Sequence, residues 1–168
     1  MIYEEFGSKS IYERTETVLE CLVLNCIEQQ NFARKSGYKS SIGPLNNWIS
    51  EWCTIKVGCP RRTGLTTSML SVGTCYFENP LFVFPNNHRS KDFKRLSKEE
   101  ISTTSIDKLT DFCRGCYFDA IFVEYPENHQ LRNIYNIAEL MIDKKEDDPF
   151  VLALFQQNSP ITKFSKEE

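Results

Sequence analysis

Along this chain the spacing of apolar residues changes period several times. Over residues 10–34, Ile11, Val18, Leu19, Leu22, Val23, Cys26 and Ile27 recur at helical spacing, which predicts a long amphipathic packing helix. Ser10, with Glu13 three places on, has the form of a capping box at its start. Residues 35–44 (KSGYKSSIGP) are a polar connector, and 45–52 (LNNWISEW) read as a short helix. Thr54, Ile55, Lys56 and Val57 then alternate as a short strand does. Three later runs, 81–84 (LFVF), 118–124 (FDAIFVE) and 150–155 (FVLALF), are almost continuously apolar, as strands covered on both faces are. Helical patterns fill two of the gaps, at 67–76 and 129–144; the second has Leu131, Ile134, Tyr135, Ile137, Ala138, Leu140 and Met141 on its apolar side. Residues 86–91 (NNHRSK) read as a polar, basic turn at the carboxyl edge of the sheet, with a helix starting at Asp92; Arg89 and Lys91 there are candidates to face phosphate or DNA, against the plainer reading as solvated charges. Residues 98–111 are polar, with a short helix expected over 105–112. A short edge strand is expected over 159–164, and both chain ends look loose.

Alternating strands and helices of this kind predict an α/β fold. The sheet is expected to be mostly parallel, of four to five strands, with helices on both faces. The division expected is a helical extension over 1–44, packed on a core over 45–168 of the same domain.

Composition narrows the setting. A chain of 168 residues with twelve Phe and seven Tyr can bury one real core. The net charge of −3 supplies no global field for nucleic acid, so any DNA contact needs a local basic patch. The seven cysteines are scattered, several within apolar runs. With no leader pattern and no apolar run near the length of a membrane span, the expectation is a cytoplasmic protein with reduced thiols and no membrane partner. The C-x-x-C of Cys113 and Cys116 has no second ligand pair for zinc, so it reads as a turn into the next strand.

Candidate chemistry concentrates after the first strand. Gly58, Cys59 and Pro60 make a tight turn; Arg61, Arg62, Thr63, Gly64, Leu65, Thr66 and Thr67 follow, and a helix starts. A strand, a tight loop and a helix start aim backbone N–H groups and the positive end of the helix into one hollow, which favours an anion. Against the phosphate-binding pattern G-x-x-x-x-G-K-[ST] the match is partial. Gly64 takes the second glycine and Thr66 the magnesium-binding hydroxyl. Cys59 stands where the first glycine belongs, and Leu65 where the lysine belongs. Arg61, Arg62 or Lys56 is then left to supply the missing charge. The competing reading is a surface turn with two solvated arginines.

A second stretch bears on the choice. Ala120, Ile121, Phe122 and Val123 lead into Glu124, four apolar residues tipped by an acid. A carboxylate there suits Mg2+, which prefers oxygen ligands. Tyr125 follows where a second, water-activating acid would stand, leaving Glu127 or Glu124 itself for that role. Alone, this is a buried strand whose first exposed residue happens to be acidic. Paired with the loop some 60 residues earlier, with a strand between, it favours the phosphate reading.

Together the two stretches resemble degenerate Walker A and Walker B motifs. RRTGLTT after a strand resembles the phosphate loop of phage large-terminase ATPases, with Arg61 three places before Gly64. The similarity covers about residues 45–157 and extends to the wider class of additional-strand P-loop NTPases, which also holds helicases and AAA-type proteins. Large terminases normally carry a nuclease domain for which this chain has no room. The resemblance implies a three-layer P-loop NTPase-like fold. It implies ATP and Mg2+ as cofactors, with Cys59, Arg61, Arg62, Thr63, Gly64, Leu65, Thr66 and Thr67 around the nucleotide and Thr66 and Glu124 on the metal. Gln156, at the end of the 150–155 strand, takes the place of the sensor beside the γ-phosphate, and Glu124 and Gln156 are the catalytic candidates. It implies a strand order of 54–57, 150–155, 121–123, 81–84. Trp48 or Trp52 becomes a candidate for stacking on the base, against the plainer reading as core.

Three functions remain open on this reading. One is an ATPase that drives work on double-stranded DNA or a partner assembly, working as a homo-oligomer with Arg89, Arg95, Arg114 or Arg132 as a cross-interface arginine. A second is the same fold without hydrolysis, since Leu65 and Tyr125 remove the groups turnover most needs. A third, a small-molecule kinase, lacks an arginine-rich lid.

Overall fold

The computed structural model describes residues 11–59, 64–97, 100–142 and 148–156. Three helices come first: α1 (Ile11–Lys35), α2 (Tyr38–Ser41) and α3 (Leu45–Trp52). Then follow β1 (Thr54–Cys59), α4 (Leu65–Tyr76), β2 (Pro80–Phe84), α5 (Asn87–Leu96) and β3 (Ser102–Ser105). A 3-10 turn (Ile106–Lys108) leads into α6 (Leu109–Phe112), and β4 (Ala120–Glu124), α7 (Asn128–Ile142) and β5 (Phe150–Gln156) close the described chain.

The strands form one sheet in the order β1-β5-β4-β2-β3, and every pairing is parallel. Leu81 sits opposite Ile121, which sits opposite Val151. Because side chains alternate across a strand, this row and the Val83, Val123, Ala153 row two positions on face one side. There they meet Trp48 and Ile49 of α3 and Leu131, Ile134 and Ala138 of α7. The intervening row, Phe82, Phe122 and Leu152, faces the other side with Phe84, Phe150 and Leu154, against Leu19 and Val23 of α1, Met69 and Val72 of α4 and Phe93 of α5. The apolar runs are continuous because both faces are covered. Each such side chain contributes about 1.5–3 kcal/mol when fully buried.

Helix α4 lies unusually close to the sheet. A Cβ at Gly73 would come within 2.8 Å of the Phe82 ring and 3.1 Å of Phe122. Those rings stack at 5.3 Å, so glycine is what lets the helix backbone settle on an aromatic floor. On its outer side α4 runs alongside α1: the Ser71 hydroxyl donates to Glu16 and the Tyr76 hydroxyl to Glu20. At the other end of the sheet, Arg34 and Lys39 hold the buried Asp148 carboxylate, Arg34 at 2.8 Å, and so tie the first two helices to the start of β5.

Connections give the sheet a polarity. After β1 and β2 the chain crosses on the face of α4 and α5; after β3 and β4 it returns on the face of α6 and α7. The two neighbours β2 and β4 are thus followed by helices on opposite faces, which opens a crevice beyond their carboxyl ends, the usual ligand position in open α/β sheets.

Several expectations needed correction. The stretch 86–91 is not a turn: α5 starts at Asn87, and the Asn86 side chain accepts from the Arg89 backbone N–H at 2.9 Å as a helix cap. The helix expected over 105–112 is present as a 3-10 turn running into one helical turn; what the polar pattern hid is the strand Ser102–Ser105 before it, an edge that pairs with β2. Trp48 is 1% exposed, stacked on Trp52 at 5.8 Å, with Tyr38 on the far side of Trp52. It is core between α3 and α7, on the face away from α4, and not a platform for a base. In α1, Val18 and Leu22 are exposed although they share the helical period with Leu19 and Val23, and in α7 Leu140 is exposed. The expected capping Ser10 and edge strand over 159–164 lie outside the described residues. The C-x-x-C does form a turn, closed by the Cys116 N–H on the Cys113 carbonyl at 3.2 Å.

Candidate functional site

Helix α4 starts where β1 delivers the chain to the carboxyl edge of the sheet. Gly64, just before it, has φ +79°, a left-handed conformation that L side chains rarely adopt. A Cβ there would also lie 2.2 Å from the Tyr12 ring, so the start of α1 packs directly on the glycine. The helical ladder begins with the Ser68 N–H on the Gly64 carbonyl at 2.9 Å. The N–H groups of Leu65, Thr66 and Thr67 precede it and have no acceptor within the helix, which makes this end attractive to an anion.

Three side chains from three elements meet at the crevice. The Thr66 hydroxyl, in the first turn of α4, donates to Oε1 of Glu124 at 2.7 Å. Glu124 is the last residue of β4 and is 1% exposed. The Arg89 guanidinium, in the first turn of α5, grips the same carboxylate with two bonds, Nε to Oε2 and Nη2 to Oε1, both 2.9 Å. This fork-on-carboxylate geometry is the strong form of a charged hydrogen bond. It raises the Arg89 pKa above its ordinary value, the bond to Glu124 being the main cause. The carboxylate is buried while the Arg89 side chain is 51% exposed, so the cation faces outward from a sealed anion.

Immediately after Glu124 the backbone turns sharply. Tyr125 has φ +52°, the one left-handed non-glycine residue among those described, and its N–H donates to the Leu154 carbonyl at 2.7 Å. Strain of this sort costs on the order of 1–3 kcal/mol and tends to collect at functional sites. Beside the triad, a hollow of about 220 Å³ opens between α4 and α5, lined by Thr66, Thr67, Leu70, Arg89, Asp92 and Phe93 among others.

The residues picked from sequence divide clearly. Thr66 and Glu124 are brought into direct contact. Gly64 forms the turn, and Thr67 is exposed at the same helix end. Leu65 packs against the core, its side chain committed to the sheet face. Cys59 and Gln156 end β1 and β5 opposite each other in register, both at the carboxyl edge. Arg61, Arg62 and Thr63 lie outside the described residues. Glu127 is exposed and pairs with His129 at 3.3 Å at the surface. Arg95 pairs at the surface with Asp92 within α5, Arg114 in the turn after α6 pairs with Asp111, and Arg132 lines a separate hollow between α3 and α7.

Arg89 is the residue that sequence reasoning undervalued. It stood in a basic stretch with nothing to mark it from Lys91. The signal available was Asn86 three places earlier, a helix cap that puts Arg89 in a first turn at the carboxyl edge.

Among the described residues, no group of three or more His, Cys, Asp or Glu could hold a metal ion, and no helix is long and apolar enough to cross a membrane. No family model, no curated protein and no solved structure matches this chain.

Proposed function

We propose that this chain is a nucleoside-triphosphate-binding domain of the P-loop type, with the polyphosphate at the start of α4. The observation that carries the reading is the Thr66–Glu124 hydrogen bond at the carboxyl edge. A hydroxyl in the first turn after a glycine loop, touching an acid at the tip of a non-adjacent strand, is the pairing that a magnesium-assisted phosphate site requires. The strand order supports it: β5 lies between the loop strand β1 and the acid-tipped β4, as the additional-strand arrangement demands.

In this reading Gly64 lets the backbone approach the phosphates, and the first N–H groups of α4 bind them. Arg61 and Arg62 add charge from the loop, and Gln156 stands at the γ-phosphate end. The oxygen donors Thr66 and Glu124 fit Mg2+, an ion commonly held by one or two protein oxygens together with substrate phosphates, where it would neutralise charge on the leaving group. Hydrolysis of ATP coupled to work on DNA or on a partner assembly is the fullest form of this function.

A second reading keeps the binding and drops the hydrolysis. It is favoured by Arg89, which occupies both oxygens of Glu124, and by Tyr125 at the place of a second acid. Calorimetric titration with ATP, with and without Mg2+, run beside a phosphate-release assay, separates the two. Binding with turnover supports the ATPase, and binding without turnover supports the second form. Absence of ATP binding at millimolar concentration ends both.

A further inference from the structure

The loop lacks the lysine that should face the β- and γ-phosphates, and Leu65 in its place packs against the core of the sheet. A cation nonetheless stands at the site. We propose that Arg89 is the polyphosphate-facing cation, delivered from the helix after β2 instead of from the loop. This rests on the nucleotide-binding reading above.

Geometry is the first argument. Arg89 and Thr66 both bond Oε1 of Glu124, so the guanidinium lies within two hydrogen-bond lengths of the hydroxyl in the first turn of α4. Of the five N–H donors of a guanidinium, two are used on Glu124, which leaves an outer edge for an anion. That edge is on the half-exposed side, at the hollow shared with Thr66 and Thr67. The second argument is energetic. Burying a carboxylate costs a large desolvation penalty that its pairing on average does no more than offset, so stability alone does not explain Glu124, 1% exposed, at the tip of an otherwise apolar strand. The third is preorganisation: Glu124 holds the guanidinium in place before any ligand arrives, which lowers the ordering cost of binding. Asp92, one turn on, is faced by Arg95 at 3.9 Å, which offsets part of its charge at the rim.

The test uses the full chain and two probes, ATP and inorganic tripolyphosphate, titrated calorimetrically in EDTA and in Mg2+. Arg89→Ala is expected to weaken both probes by about tenfold or more, the scale of a lost charge-assisted hydrogen bond. Arg89→Lys should recover part of the loss, since a point charge lacks the fork. Loss on tripolyphosphate as large as on ATP places the effect at the phosphates. If circular dichroism shows Arg89→Ala unfolded by its unpaired Glu124, the double variant Arg89→Ala/Glu124→Gln is compared with Glu124→Gln, and the same loss must persist. Binding within about twofold in that comparison, or in Arg89→Ala itself when folded, overturns the proposal while leaving the nucleotide site standing. Failure of the unaltered chain to bind either probe removes the nucleotide site and the proposal together.

Discussion

The Thr66 hydroxyl meets the Glu124 carboxylate at 2.7 Å across 58 positions of chain. The contact exists because β5 and β4 carry Glu124 to the same edge at which β1 releases the chain into α4. It joins the two stretches that the sequence marked for chemistry, and it makes Thr66 a testable residue in its own right.

Thr66→Val keeps the shape and removes the donor. One acceptor site on a buried, charged group is then left to Arg89 alone. We expect a stability loss of about 1–3 kcal/mol by urea denaturation. If magnesium is held as proposed, ATP binding in Mg2+ weakens more than ATP binding in EDTA. An equal loss in both conditions would assign Thr66 a structural role only.

Gly73→Ala tests the close approach of α4 to the sheet. The new methyl meets buried Phe82 and Phe122 rings that have no room to retreat. Overpacking of this kind costs about 1–3 kcal/mol, more than the helix propensity gained. Melting should drop while ATP affinity stays within error; a more stable variant would show that the rings shift freely.

Trp48→Ala tests the core placement of the tryptophans. Buried between α3 and α7, Trp48 should cost about 3–5 kcal/mol on truncation. Trp52→Phe, milder and at the middle ring of the same stack, should leave nucleotide affinity unchanged. A marked loss of ATP but not of tripolyphosphate in Trp52→Phe would restore the base-stacking role.

The thiols set a limit on stability at high pH. Burial pushes the Cys26 thiol from its ordinary 9.0 up to about 11, and pushes Cys53 further, with nearby Asp148 adding to the shift. In the unfolded chain both ionise near their ordinary value; in the fold both keep their protons. Their contribution is therefore complete below pH 9.0 and is lost as pH rises toward 11. Denaturation midpoints should fall across that window, and Cys26→Ala should flatten the slope. Among the six cysteines whose burial is described, exposed Cys21, Cys75 and Cys116 should react first with a thiol reagent, and Cys53 last.

How much of this was legible beforehand depended on how local the signal was. The runs over 81–84, 120–124 and 150–155 announced strands covered on both faces, because a strand with two buried sides has no polar positions to spare. Leu131, Ile134 and Ala138 announced α7 for the matching reason at helical period. The strand Ser102–Ser105 gave no such sign. Its polar residues suit a sheet edge, and its pairing with β2 is made by the backbone. The first five residues of α5 carry no helical signal because its opening turn has no apolar side chain; Phe93 and Ser90 are buried by the sheet, not by the sequence around them.

Sequence by itself determined the types of the apolar elements, the doubly covered sheet and the two stretches bearing a hydroxyl and an acid, since periodicity and residue chemistry act over a few neighbours. Only the tertiary structure decided that Thr66 touches Glu124, that Arg89 closes on the same carboxylate from 35 positions away, and that Trp48 belongs to the core. Those outcomes depend on which strands pair and which face each helix covers. Parallel pairing joins residues far apart in the chain, and no local pattern encodes the partner.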